Sequence, residues 1–195
     1  MGRFQARLPS IPGAAADPVL QRIARAPVSA QLRFRGPAEA IWPLAGIDTI
    51  GVGGPLAARI DIGGTVGEPD LQGALRSRRL GFESVASGTV IEDIVLEGRF
   101  DGSRLVLDQF SGRDRKGGTV TGSGTVDLSL SRGFPIDVRL QTQDTTLVDI
   151  DTLETRVTGP ITIKSSPEEG ARIAGDLKVD RASYTAGREL SEQIP

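Results

Sequence analysis

Cysteine and histidine are both absent from this chain, which removes thiol nucleophiles, imidazole bases and the commonest soft metal ligands together. Chemistry would have to come from carboxylates, guanidinium groups and backbone. Glu92 and Asp93 are adjacent carboxylates. An acid–base pair, however, needs a nucleophile or an orienting group beside it, and none is supplied nearby. Asp149 and Asp151 have strand spacing, so both would project from one side. A hard cation such as calcium wants about six or more oxygens, and a solvated face is the simpler reading of two. Arg76, Arg78 and Arg79 form a basic stretch with Ser77. Guanidinium groups grip phosphate oxygens bidentately, so the stretch is either a contact for lipid headgroups or an exposed basic loop. Gly122-Ser123-Gly124 lies inside an alternating strand pattern rather than at the start of a helix, and is no phosphate-cradling loop. The chain is therefore expected to be non-enzymatic, with no cofactor and no metal.

Composition narrows the class further. At 195 residues with 38% hydrophobic and 25% charged residues, the chain reads as one large or two small soluble domains. Net charge is −2, which gives no basic surface for nucleic acid. Aromatics are only 4%, so any apolar face must be built from Leu, Ile and Val. The absence of cysteine excludes a disulfide framework and is compatible with either cytoplasm or an envelope space. No apolar run approaches the roughly 18 residues of a membrane-spanning helix. Met1 to Ser10 carries Arg3 and Arg7 with no apolar core behind them, unlike a signal peptide.

The elements are strands. From Gly118 to Ser129, Val120, Gly122, Gly124, Val126 and Leu128 alternate with Thr119, Thr121, Ser123, Thr125 and Asp127. Period-two alternation places the two sets on opposite faces of a strand. After a turn at Ser131-Arg132-Gly133, Phe134, Ile136, Val138 and Leu140 resume the apolar side. The same pattern recurs with Leu32 and Phe34; with Leu56, Ala58, Ile60 and Ile62; with Leu71, Gly73 and Leu75; with Ile94, Leu96, Gly98 and Phe100; with Val157, Gly159, Ile161 and Ile163; and with Ile173, Gly175, Leu177 and Val179. Leu80 to Val85 is a weaker strand beyond the basic loop. Asp101-Gly102 marks a tight hairpin, and Phe110 falls out of phase with Leu105 and Leu107, which predicts a bulge.

Residues 1–16 are rich in Pro, Gly and Ala and read as irregular, Asp17-Pro18 opens a short helix to about Arg25, and residues 187–195 form a polar tail. Residues 17–186 make the domain proper. Trp42, in an apolar run broken by Pro43, is expected as an anchor in a turn or helical plug packed on the end of the sheet. Roughly ten one-sided strands follow one another with no long helix to cover them. Their apolar face must fold onto a second sheet, close into a barrel, or curl into a groove filled by an apolar ligand. Periodicity does not choose among these.

Gly64-Thr65-Val66-Gly67-Glu68-Pro69-Asp70-Leu71-Gln72-Gly73 resembles the G-T-x-x-x-P-x-L-x-G signature of the TamB family of bacterial envelope proteins. The run from Gly88 to Ser129 is similar to the strand, hairpin and Gly-rich strand that follow it there. Ile173 to Tyr184 resembles that family's l-x-G-x-L-x-V-x-r-A-x-Y ending, and Pro37-Ala38-Glu39-Ala40-Ile41-Trp42 the proline-then-Trp segment before the signature. A second signature, expected near Thr162 to Ala174, is reduced to Ser165-Ser166-Pro167. The resemblance implies an all-β fold: a long, twisted, mostly antiparallel sheet curled into a U-shaped groove with an aliphatic interior. It also implies a periplasmic domain of a protein anchored in the inner membrane of a diderm bacterium. Such a groove would carry phospholipid acyl chains between the two membranes and meet a TamA- or BamA-like outer-membrane barrel-assembly partner. The lining would comprise Ile60, Ile62, Leu96, Val120, Val126, Ile136, Val138, Leu140, Val157, Ile161, Leu177 and Val179. The alternative is a closed β-sandwich that binds another β-protein by strand addition.

Overall fold

In a computed structural model of the chain, residues 2–8, 24–45, 49–129, 132–167 and 170–185 are described. They form strands β1 (Gly2–Leu8), β2 (Ala30–Pro37), β3 (Ile50–Gly53), β4 (Pro55–Gly64), β5 (Pro69–Ser84), β6 (Val90–Gly102), β7 (Arg104–Asp114), β8 (Thr119–Asp127), β9 (Ile136–Ile150), β10 (Leu153–Ser166) and β11 (Gly170–Tyr184). All belong to one 11-stranded sheet of order β1-β11-β10-β9-β8-β7-β6-β5-β4-β2, with β3 pairing β5 beyond the end of β4. Every pairing is antiparallel. The sheet does not close, because β1 and β2 stand at opposite edges. Among the described residues there is no second sheet, so they do not form the closed β-sandwich of the alternative.

The all-β expectation is met, with local corrections. Residues 2–8, read as irregular, pair with Ala171–Leu177 of β11. The alternation of Phe4, Ala6 and Leu8 with Arg3, Gln5 and Arg7 is hidden by the prolines and glycines that follow. The helix expected from Asp17 to Arg25 falls almost wholly outside the described residues, as does the tail from Gly187. Arg76 to Arg79 is not a loop, since β5 runs unbroken through it. A bulge between Ser77 and Leu80 lets both of these turn inward, at 5% exposure each. Ser77 answers its buried hydroxyl by donating to the Pro55 carbonyl at 2.5 Å. The bulge foreseen at Phe110 is present as a register shift between Leu107 and Phe110. Trp42 is half-buried in two short 3-10 turns (Ala38–Ala40 and Trp42–Ala45) and donates from Nε1 to the Ile50 carbonyl at 2.7 Å.

The signature Gly64 to Gly73 is a hairpin whose residues each have a local reason. Gly64 adopts φ +79°, and a Cβ there would lie 2.7 Å from the Glu68 carbonyl oxygen. Thr65 Oγ1 accepts the Glu68 amide at 3.1 Å, Pro69 opens β5, and Leu71 is buried.

The hairpin ends fold toward one another. Ser129, wholly buried, donates from Oγ to the Gly67 carbonyl at 3.0 Å, joining the β8–β9 connection to the β4–β5 turn across the β6–β7 hairpin. At the opposite ends of the strands, Thr89 Oγ1 donates to the Leu147 carbonyl at 2.6 Å and the Asp149 amide to the Ser87 carbonyl at 2.8 Å. These bonds join the β5–β6 turn to β9 past β7 and β8.

Candidate functional site: the aliphatic face

Register carries one set of side chains across the whole sheet, because residues directly opposite in antiparallel strands share a face. One row runs Ile60, Gly73, Phe100, Leu105, Val126 and Ile136; the next runs Ala58, Leu75, Gly98, Leu107, Gly124, Val138, Ile163 and Ile173. A third joins Ser77, Leu96, Phe110, Gly122, Leu140, Ile161 and Gly175. Small and large residues alternate along the second row from Ala58 to Val138, and glycines interrupt the other two. Such alternation suits a face whose side chains converge, as in the tapering interior of a small barrel. Gly122 between Phe110 and Leu140 is one such case: a Cβ there would lie 2.6 Å from Leu140 Cδ2 and 2.5 Å from the Arg139 carbonyl oxygen.

All the residues named above as lining lie on this face. Val120, Val157, Ile161 and Leu177 are buried, and Ile60, Ile62, Leu96, Val126, Ile136, Val138 and Leu140 are half-buried. Val179, at 54% exposure, lies open opposite Val157, beside the register shift between Arg156 and Val157. Burial is uneven along the face. Leu80, Ile91, Ile94 and Val120 pack with Ala38 of the first 3-10 turn into one core; Val157, Ile161 and Leu177 form a second. Between these cores and the hairpin ends the aliphatic side chains stay partly uncovered. Leu80 and Ile91 are members that alternation missed. Asp93, at φ +50°, and the shifts on either side of β6 break the period there.

Two polar residues on the face are neutralised by the backbone. Thr142 and Thr145, each 1% exposed, donate to the Gly159 and Thr119 carbonyls at 2.9 and 2.7 Å. With its donor satisfied, a buried threonine adds little polar cost.

The outward face holds the charges, and the candidate acids Glu92, Asp93 and Asp149 stand there in ion pairs. Glu92 pairs with Arg115 at 2.8 Å and Asp93 with Arg113 at 3.9 Å. Asp149 shares Lys116 with Glu154 at 3.1 and 2.8 Å, contacts that hold the Lys116 ammonium above its ordinary pKa, Glu154 foremost. Among the described residues no group of carboxylates is arranged to hold a metal ion. Arg76 stands opposite Ala57 and Glu97 on the outward face, and Arg78 and Arg79 are exposed at the bulge. The basic residues are thus separated by the thickness of the sheet from the aliphatic rows.

Asp114 is a buried carboxylate with a clear structural task. At 4% exposure, its Oδ1 accepts the amides of Lys116 and Gly118 at 2.9 and 2.7 Å, and its Oδ2 that of Thr146 at 2.7 Å. Burial pushes its pKa up, but these amides outweigh it and the value is lowered. A depressed native pKa gives stability that is present above the unfolded value and lost as pH falls through the native one. Wild-type stability should therefore decline on acidification from about pH 4 downward. Asp114→Asn should lose about 2–3 kcal/mol at neutral pH and show a shallower acid dependence, as read by urea unfolding across pH.

The described residues thus form a single antiparallel sheet, greasy on one side and salt-bridged on the other. Residues 108–195 match the family model described as the TamB C-terminal domain, which supports a TamB-family domain fragment over that stretch. The Ile173 to Tyr184 ending lies within the match, and the Gly64 to Gly73 signature before it. Comparison with curated proteins found no match, and comparison with solved structures found none either.

Proposed function

We propose that the aliphatic face lines a U-shaped groove through which a TamB-like protein carries phospholipid acyl chains between the inner and outer membranes of a bacterial envelope. The observation that supports this most is the half-burial of the central rows. Ile60, Leu96, Val138 and Leu140 are partly uncovered, in a single sheet whose hairpin ends curl toward each other through the Ser129–Gly67 and Thr89–Leu147 bonds. An apolar surface of this extent in water is unfavourable by about 25 cal/mol per Å², and an acyl chain is a flexible apolar occupant that needs no hydrogen-bonding partners. No helix of the described residues is long and apolar enough to cross a membrane, so within them the sheet is the working part. The setting is periplasmic, with the parent protein held at the inner membrane and an outer-membrane barrel-assembly protein of the TamA or BamA kind as partner. The outer edge of β2, which has no strand beside it among the described residues, offers a place for such a partner to add a strand.

The test is transfer of a fluorescent phospholipid from donor to acceptor vesicles. The chain should accelerate it at stoichiometric amounts. A rate no different from vesicles alone, with the sheet intact by circular dichroism, would count against the groove.

A further inference from the structure

On the outward face the charge pattern changes abruptly along the sheet. From β6 to β11 most bases have an acid: Arg99 with Asp108, Arg113 with Asp93, Arg115 with Glu92, Arg139 and Lys164 with Asp137, Arg156 with Asp144, and Lys178 with Asp180. On β2, β4 and β5 this stops. Arg35, Ala57 and Arg76 form one cross-strand row, and Arg33, Arg59 and Ala74 the next. None of these arginines has a carboxylate within 4.0 Å among the described residues. The nearest acids by register are Asp61, one row further along β4, and Glu97, opposite Arg76 on β6. Arg33 and Arg59 are direct partners, and like charges placed opposite in a ladder destabilise it. The two alanines leave a depression of about 540 Å³ between the guanidinium groups.

We infer that this arginine grid on β2, β4 and β5 is a binding site for a phosphate-type oxyanion, on the face opposite the groove and independent of it. The choice of arginine at all four positions fits the chemistry. The planar guanidinium offers a donor fork that matches two phosphate oxygens at once, which a lysine ammonium does not. The alanines provide room for the anion to descend between the side chains. A bound dianion would also relieve the Arg33–Arg59 repulsion, so the site is destabilised when empty and stabilised when filled. The phosphate could belong to a lipid headgroup at a bilayer surface or to a soluble phosphate ester.

Two probes separate these sources. Inorganic phosphate, compared with chloride at matched ionic strength, should raise the melting temperature of the wild-type chain if free phosphate is bound. Phosphatidylglycerol vesicles, compared with phosphatidylcholine vesicles in co-sedimentation, should retain the chain if the headgroup of a bilayer is bound. Either response supports the site and names its source. Arg33→Gln with Arg59→Gln should weaken the response at least about tenfold, while Arg139→Gln, on the same face but on β9 and paired with Asp137, should leave it unchanged. Ala57→Glu keeps every arginine and places a carboxylate among them, so it should abolish the response even if the double variant folds poorly. No response to either probe, a response that survives both changes, or an equal loss in Arg139→Gln would overturn the assignment.

Discussion

Val138→Asp should abolish phospholipid transfer between vesicles while the sheet stays folded. Val138 faces Gly124 on β8 and Ile163 on β10, in the row where the aliphatic side chains are half-buried. In an empty groove the new carboxylate can reach water past the small residue opposite. In a filled one it would have to be desolvated against an acyl chain, at a cost of several kcal/mol for an unpaired charge. Occupancy should therefore fall by two orders of magnitude or more, on the order of the 1.4 kcal/mol per decade that such a cost implies. The location of the charge decides the outcome. Leu177→Arg, at a residue 7% exposed in the second core, should unfold that part of the sheet instead, and Arg139→Asp, on the outward face beside Val138, should leave transfer close to wild type. Retained transfer in Val138→Asp, or global unfolding by circular dichroism and urea titration, would make the row a dry core.

Gly122→Val should cost about 3 kcal/mol or more in urea unfolding. Overpacking a filled site typically costs about 1–3 kcal/mol, and here the added carbons meet backbone as well as side chain. The Cβ alone would lie 2.5 Å from the Arg139 carbonyl oxygen, an atom already placed by the β8–β9 ladder. Thr121→Val, one residue away on the exposed face, should change stability by no more than about 0.5 kcal/mol. Equal small effects at both positions would mean that the glycines of β8 are not there to make room for Leu140 and Val138.

These two sites also show how far alternation could be read without coordinates. Val120 to Val126 and Ile136 to Leu140 keep strict period two, and register places them side by side as the pattern demands. The pattern failed where the backbone inserts an extra residue. In β5 the bulge turns both Ser77 and Leu80 inward, so Arg76 to Arg79 looked like a break between strands. In β6 the positive φ of Asp93 put Ile91 and Ile94, three apart, into the same core, a spacing that alternation assigns to opposite faces. Strand β1 was missed because pairing with β11 is a tertiary event that local composition does not encode. The bonds between distant connections, such as Ser129 to Gly67, were equally illegible in the alternation, because they join residues far apart in sequence. The arginine grid was invisible for a related reason: Arg33, Arg59 and Arg76 lie far apart in sequence and meet only through the β2–β4–β5 register.

The central claim, that the aliphatic face holds lipid, is tested most directly by native mass spectrometry of the freshly purified chain, with organic extraction and lipid analysis of the same sample. The groove predicts phospholipid retained at close to one or more molecules per chain, released only by conditions that open the sheet. A lipid-free chain that is stable, monomeric and compact would contradict it, because the half-buried rows would then have to be covered by the protein itself.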